Sequence, residues 1–230
     1  MDVQDKLCLA ASLSLQAYLG DIPSTTKVEC QKTSTTAFLQ FSDQQTIVVF
    51  RGTQQLLDWK YNLRAVPYWY KGRWCHMGFA FAHKSVWSEI EPYIDMDKPI
   101  LFTGHSLGAV LAEYSAWALG RHVDASLITF GKPNGFLKKA KALMPWLKTH
   151  VSVCSGSDLV ARVPHFCYAP DAGQQMLYFD NTRGSGFWDP GHDTLVRDWR
   201  PRDAVSDHSM TGYHSLVRDY VLERNWVNPR

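Results

Sequence analysis

The stretch FTGHSLGAVLAEYSAWAL, residues 102–119, holds a serine between two glycines and then runs eleven residues without glycine or proline. Upstream, PILFTG (99–104) is a short apolar run bounded by proline and glycine, which reads as a buried strand. Downstream, LGAVLAEYSAWALG reads as a helix. Gly104-His105-Ser106-Leu107-Gly108 therefore lies at a strand-to-helix turn and fits G-x-S-x-G, the nucleophile elbow. On such a corner the backbone approaches its own strand and helix so closely that side chains at 104 and 108 would collide, which accounts for both glycines. The following helix aims free N–H groups and its positive dipole end at the site, so the Leu107 amide is placed to donate to a developing oxyanion. The bland reading is a tight turn that contains a serine. The nucleophile reading requires a base, an orienting acid and a second oxyanion donor elsewhere.

Strands and helices alternate around this corner. TTAFLQF (35–41) and TIVVFRG (46–52) read as a hairpin across a Ser-Asp-Gln turn. MGFAFAHKSVWSEIEPYI sets Phe79, Ala82, Val86, Ile90 and Tyr93 on one helical face. ASLITFG (125–131) and THVSVCS (149–155) are further buried-strand candidates. LKKAKALMPWLK between them reads as a short helix limited by Pro145. From Gly156 to Ser206 the pattern gives way to Pro, Gly, Asp and aromatics, which predicts a long loop region. DHSMTGYHSLVRDYVLE predicts a terminal helix. The alternation points to one α/β domain over residues 1–230, with a mostly parallel central sheet flanked by helices.

Composition excludes several classes. With 24 basic and 22 acidic residues the net charge is +2, so no global field favours nucleic acid. No run approaches the roughly 18 apolar residues of a membrane span. Cys8, Cys30, Cys75, Cys154 and Cys167 are odd in number, with no CxxC and no metal-ligand spacing, so reduced thiols are expected rather than a disulfide framework. The N-terminus has a short apolar run, but Asp2 and Asp5 weaken a leader reading and its spacing predicts an amphipathic helix ending near Gly20. These features favour a soluble, intracellular protein and leave secretion open. Nine Trp, ten Tyr and eleven Phe suit either a Trp-rich core or a pocket for apolar ligands.

A serine hydroxyl needs a base. His105 adjoins the serine but cannot point at it from a neighbouring position on the turn, and His122 and His150 bound strands and are expected on the surface. Where this elbow occurs, the acid and then the histidine follow the serine along the chain, which leaves His165, His192, His208 and His214. His208 precedes the last helix, on a loop able to reach the carboxyl end of the sheet, whereas His214 reads as a helix-face residue. For the acid, Asp158 stands just past a buried strand among apolar residues and needs a partner there. A turn or cap aspartate is the alternative reading, and Asp180, Asp193, Asp198 and Asp203 are competitors.

In order along the chain stand VVFRGT, DWKYNL, HMGF, FTGHSLGA, ITFGKP, SDLVARVP and DHSMTGY. This series resembles the class 3 (fungal-type) lipases of the α/β-hydrolase fold over roughly residues 5 to 222. The resemblance implies Ser106 as nucleophile, Asp158 as acid and His208 as base. It also implies Thr53, after the second hairpin strand, as the oxyanion donor beside Leu107. The expected reaction is acyl transfer from an ester to water, with no cofactor and no metal; the spacing of Asp189 and Asp193 fits no standard calcium loop. The segment 54–74 lies where such lipases carry a lid. Its Leu56, Leu57, Trp59, Leu63 and Trp69, mixed with cations, suit a flap that covers an acyl pocket and meets a lipid surface, or else a static surface helix. The substrate is then an acylglycerol or a shorter ester. A phospholipase, an acyltransferase with the same triad, or a silent lipid- or partner-binding domain are the alternatives.

Overall fold

The structure, a computed structural model, describes residues 1–53, 66–137, 144–164, 168–169, 175–180, 186–189 and 206–222. It opens with helix α1 (Val3–Leu19). Asp2 and Asp5 form its capping box: Asp5 N–H donates to Asp2 Oδ1 at 2.8 Å, and Asp2 N–H to Asp5 Oδ2 at 3.4 Å. Gly20, at φ 82°, ends the helix in the left-handed region that glycine enters without penalty.

The main sheet has eight strands, β1 (Thr25–Cys30), β2 (Thr35–Phe41), β3 (Thr46–Phe50), β6 (Ile100–His105), β7 (Ala125–Phe130), β9 (Thr149–Ser155), β11 (Gln175–Phe179) and β12 (Gly186–Trp188). They lie side by side in that order. From β3 to β11 the pairings are parallel; β1–β2, β2–β3 and β11–β12 are antiparallel. Alternation along each strand feeds two cores. On one face Leu39, Val48, Phe50, Phe102 and Leu127 pack against helices α2 (Met77–Ile90) and α3 (Leu107–Leu119). On the other, Phe38, Val49, Leu101, Phe130 and Val153 pack against α1 and the last helix, α4 (Met210–Leu222). Helix α3 is buried almost throughout, as its largely apolar sequence requires, and its two buried polar residues, Glu113 and Ser115, have partners.

Two expectations are corrected here and two unforeseen features appear. The stretch from 156 to 206 is not all loop, because QMLYF forms β11, parallel to β9, and β12 pairs with it. Leu177, Tyr178 and Phe179 are fully buried there, a run without the alternation that marks a half-exposed strand. The antiparallel edge strand β1, with only Val28 buried, was also unforeseen. So was a second, four-stranded sheet in the order β10 (Tyr168–Ala169), β8 (Phe136–Leu137), β5 (Arg73–His76), β4 (Pro67–Tyr70). Tyr93 leaves the apolar stripe of α2, since Pro92 lies in a tight 3₁₀ turn over Glu91–Tyr93 that leaves this ring 57% exposed. The helix proposed in LKKAKALMPWLK falls largely on residues 138–143, outside the described residues.

Candidate active site

Strand β6 ends at His105 and α3 begins at Leu107, so Ser106 alone makes the corner. Its φ of 58° is one that non-glycine residues rarely adopt. The corner is held from outside: Ser106 N–H donates to the Phe130 carbonyl at 3.0 Å, and Ala109 N–H to the Ser106 carbonyl at 3.0 Å. Both glycines are there for the expected reason. A Cβ on Gly104 would lie 2.6 Å from the Gly108 carbonyl and 2.7 Å from the Phe50 carbonyl oxygen. One on Gly108 would run into the Phe50 carbonyl.

The loop after β9 and the 3₁₀ turn Ser206–His208 before α4 bring Asp158 and His208 together. His208 Nδ1 donates to Asp158 Oδ2 at 2.7 Å, with both side chains buried. The same oxygen accepts from the Tyr213 hydroxyl at 2.6 Å, and that hydroxyl accepts from Ser155 N–H at 3.1 Å. Asp158 Oδ1 accepts from the amides of Val160 and Ala161 at 2.8 and 3.3 Å. The carboxylate is thus a turn cap and a histidine partner at once, one role per oxygen. Asp207 ties the two loops, accepting from Ser157 N–H at 2.7 Å.

His208 stands beside the elbow, its ring centroid 4.5 Å from that of His105. Its Nε2 is buried and has no hydrogen-bond partner among the described residues, so no bond to Ser106 is made here. Such bonds are commonly long before substrate binds. Thr53 follows β3, whose Phe50 lies opposite Gly104 in the parallel register. A Cβ on the intervening Gly52 would lie 2.6 Å from the His105 carbonyl oxygen, so residues 50–52 pack directly on the elbow. Leu107 is the first residue of α3, where an N–H has no partner within the helix.

The remaining candidates are spread more widely. Leu56, Leu57, Trp59 and Leu63 lie outside the described residues, as do His165, His192, Asp193, Asp198 and Asp203. Trp69 stands on β4, in an antiparallel hairpin with β5, half exposed and 5.5 Å edge-to-face from Trp74. Asp189 accepts from Met176 N–H at 2.8 Å, a contact across the β11–β12 pair one position beyond Leu177 and Trp188. His214 meets Ser12 on α1 at 3.4 Å. His122 is exposed as expected, but His150 is not: it lies inside β9, where burial and the charge of Lys132 hold its imidazole down to about 3. Sequence reading missed Tyr213, Tyr18 and Gly131. Gly131, in ITFGKP, has φ 53°, and a Cβ there would lie 2.8 Å from Asp158 Oδ2 and 3.0 Å from the His208 ring. The glycine after a predicted strand was the one available signal.

Several solved structures share this fold. The triacylglyceride lipase of Rhizomucor miehei superposes with a TM-score of 0.72 at 16% identity, covering 93% of this chain and 98% of the lipase. A triacylglycerol lipase whose catalytic centre is described as a serine protease triad gives 0.71 at 18%, covering 90% and 94%. The lipase of Rhizopus microsporus var. chinensis gives 0.70 at 18%, covering 89% and 84%. No curated protein is recognisably similar in sequence. Among the described residues no helix is long and apolar enough to cross a membrane. The fold is that of the α/β-hydrolases, and the family model for lipase (class 3) matches residues 47–167, just over half of the chain. This protein therefore belongs to the class 3 lipase family and is an enzyme, a lipase-type serine hydrolase.

Proposed function

We propose that this enzyme hydrolyses carboxylic esters of acylglycerols or shorter acyl chains, with Ser106 as nucleophile, His208 as base and Asp158 as its orienting acid. The observation that carries this reading is the buried Asp158–His208 pair at 2.7 Å, whose outer nitrogen, Nε2, is left unpaired among the described residues beside a serine held at φ 58°. His208 takes the proton of Ser106 as its oxygen attacks the ester carbonyl. The amides of Thr53 and Leu107 hold the oxyanion, and His208 returns the proton to the leaving alcohol. Water then repeats the sequence on the acyl-enzyme. Asp158, with its other oxygen occupied by two amides, fixes the imidazole tautomer and orientation.

Contact with a lipid surface through the 54–74 segment fits its described part. The β4–β5 hairpin presents Trp69 and Trp74, 56% and 47% exposed, on either side of Lys71. Amphipathic aromatic rings and lysines suit the boundary between headgroups and acyl chains. Among the described residues Cys8, Cys30, Cys75 and Cys154 form no disulfide with one another, in keeping with the reduced thiols expected from their spacing.

The test is a chain-length series of nitrophenyl esters with Ser106→Ala and His208→Ala, together with fluorophosphonate labelling. Loss of turnover in both variants and labelling at Ser106 are expected. Wild-type turnover in Ser106→Ala, or no labelling of Ser106, overturns the assignment.

A further inference from the structure

Beside the elbow a second side-chain pair, part-buried, links α1 to the ring that packs on His208. Tyr18, in the last turn of α1, places its hydroxyl 2.6 Å from His105 Nδ1. The two rings meet edge-on at 5.6 Å, and the His105 ring in turn lies 4.5 Å from His208 and 5.7 Å from Tyr213. His105 is 2% exposed. The Tyr18 hydroxyl also occupies the place that a Cβ on Gly52 would take, one residue before Thr53. One phenol oxygen therefore touches the strand end that leads to Thr53 and the imidazole packed against His208.

The proton positions along this chain follow from burial. Burial raises the Tyr18 phenol well above its ordinary range, so its oxygen keeps its proton and can donate it to His105 Nδ1. Burial, reinforced by the neighbouring His208, holds His105 well below the usual imidazole range, so it is neutral. A neutral imidazole that accepts at Nδ1 carries its hydrogen on Nε2. That nitrogen makes no hydrogen bond of normal geometry among the described residues, yet the His208 backbone lies close enough to favour a proton on the ring. In that tautomer His105 packs an uncharged ring against His208, so it adds no full positive charge beside the base.

Resting on the Ser106–His208–Asp158 reading, we propose that Tyr18, acting through His105, is a positioning residue for the base and for the strand end at Gly52. Neither residue touches the reacting atoms. Their contribution is to fix the tautomer and tilt of the ring on which His208 rests, and to hold the main chain before Thr53 against the elbow. Misplacement of a base or an oxyanion donor by a fraction of an ångström lowers turnover without weakening substrate binding.

The experiment compares Tyr18→Phe, His105→Gln and the double variant in the full chain, with kcat expressed per Ser106 labelled by fluorophosphonate. Removing one neutral hydrogen bond from Tyr18 is expected to lower per-site kcat about tenfold with KM within about twofold. The rate constant of labelling should fall by the same factor. If the pair acts as a unit, the double variant falls no further than the worse single one. A purely structural role would reduce the fraction of sites labelled and leave the per-site rate intact, which overturns the proposal, as do additive losses. Turnover in Ser106→Ala removes the underlying triad. Wild-type per-site turnover in Tyr18→Phe, in an enzyme that needs Ser106, removes only the positioning role.

Discussion

The Tyr213 hydroxyl donates to Asp158 at 2.6 Å, on the same carboxylate oxygen that takes the His208 N–H at 2.7 Å. That tyrosine also accepts the buried Ser155 amide, so it joins α4, the end of β9 and Asp158 through one oxygen. Tyr213→Phe should lower kcat roughly tenfold and destabilise the fold by about 1–2 kcal/mol, because a buried N–H and a carboxylate oxygen each lose a partner. Ester kinetics and urea denaturation on the same preparation would check both figures.

Asp158 divides its work by oxygen, and two substitutions separate the parts. Asp158→Asn keeps an acceptor for the Val160 and Ala161 amides but cannot orient His208 as a carboxylate does. Its kcat is expected to fall about 10⁴-fold, with a loss of about 1–2 kcal/mol because Tyr213 and His208 lose their shared acceptor. Asp158→Ala should lose activity similarly and a further ~1 kcal/mol through the missing cap. Equal stability of the two variants would contradict a capping role for Oδ1.

Gly131→Ala adds one methyl group where the only room is 2.8 Å from Asp158 Oδ2, on a residue at φ 53°. The expected result is a loss of about 2–3 kcal/mol and a fall in kcat larger than that of an alanine placed at Gly20, where a Cβ would meet nothing within 4 Å. Thermal denaturation and turnover of the two variants give the comparison.

The elbow and its helix were legible in sequence because everything that specifies them lies within a few residues of Ser106. The β2–β3 hairpin and the capped helix α1 were legible for the same reason. What escaped was built from distant residues. Tyr18 meets His105 across 87 positions and Tyr213 meets Asp158 across 55, and no local pattern marks either tyrosine as more than a core aromatic. Strand β11 escaped because it sits among Pro- and Asp-rich segments and needs β9 beside it. His150 was misplaced because a strand with both faces covered has no solvent side, so a polar residue in it does not signal exposure.

Acid should destabilise the enzyme through its buried histidines. Burial holds His76 down to about 4 and His83 and His150 down to about 3, with His105 also well below its ordinary range. A folded value below the unfolded ~6.5 means that the unfolded chain binds the proton better. Stability is therefore complete above about pH 6.5 and declines as pH falls towards the folded values, by at most about 1.4 kcal/mol per unit for each group. Urea midpoints between pH 7.5 and 5 should fall accordingly. His83, held by Tyr70 at 2.8 Å and Ser115 at 3.0 Å, offers the clearest control: His83→Gln should flatten the slope by one such contribution.

Lys132 and Glu113 form an ion pair with side chains only 2% and 1% exposed, joining the loop after β7 to the middle of α3. Breaking it from one side, as in Lys132→Met, leaves a buried charge and should cost about 3–5 kcal/mol. Replacing both, as in Lys132→Met with Glu113→Leu, should restore most of that loss. Chemical denaturation of the three variants forms a closed cycle.

The absence of side chains at Gly104 and Gly108 has a mechanical consequence. Strand β3 rests its main chain on α3 with no soft side-chain layer between them, since Phe50 and Arg51 fill the space above Gly108. Side chains can yield by changing rotamer, whereas backbone in contact with backbone can only move with it. Ser106, the start of α3 and residues 50–52 should therefore be displaced together when the sheet twists or breathes. Thermal motion would carry Ser106 and its neighbouring strand end as one body, keeping their separation nearly constant while their position in the molecule fluctuates.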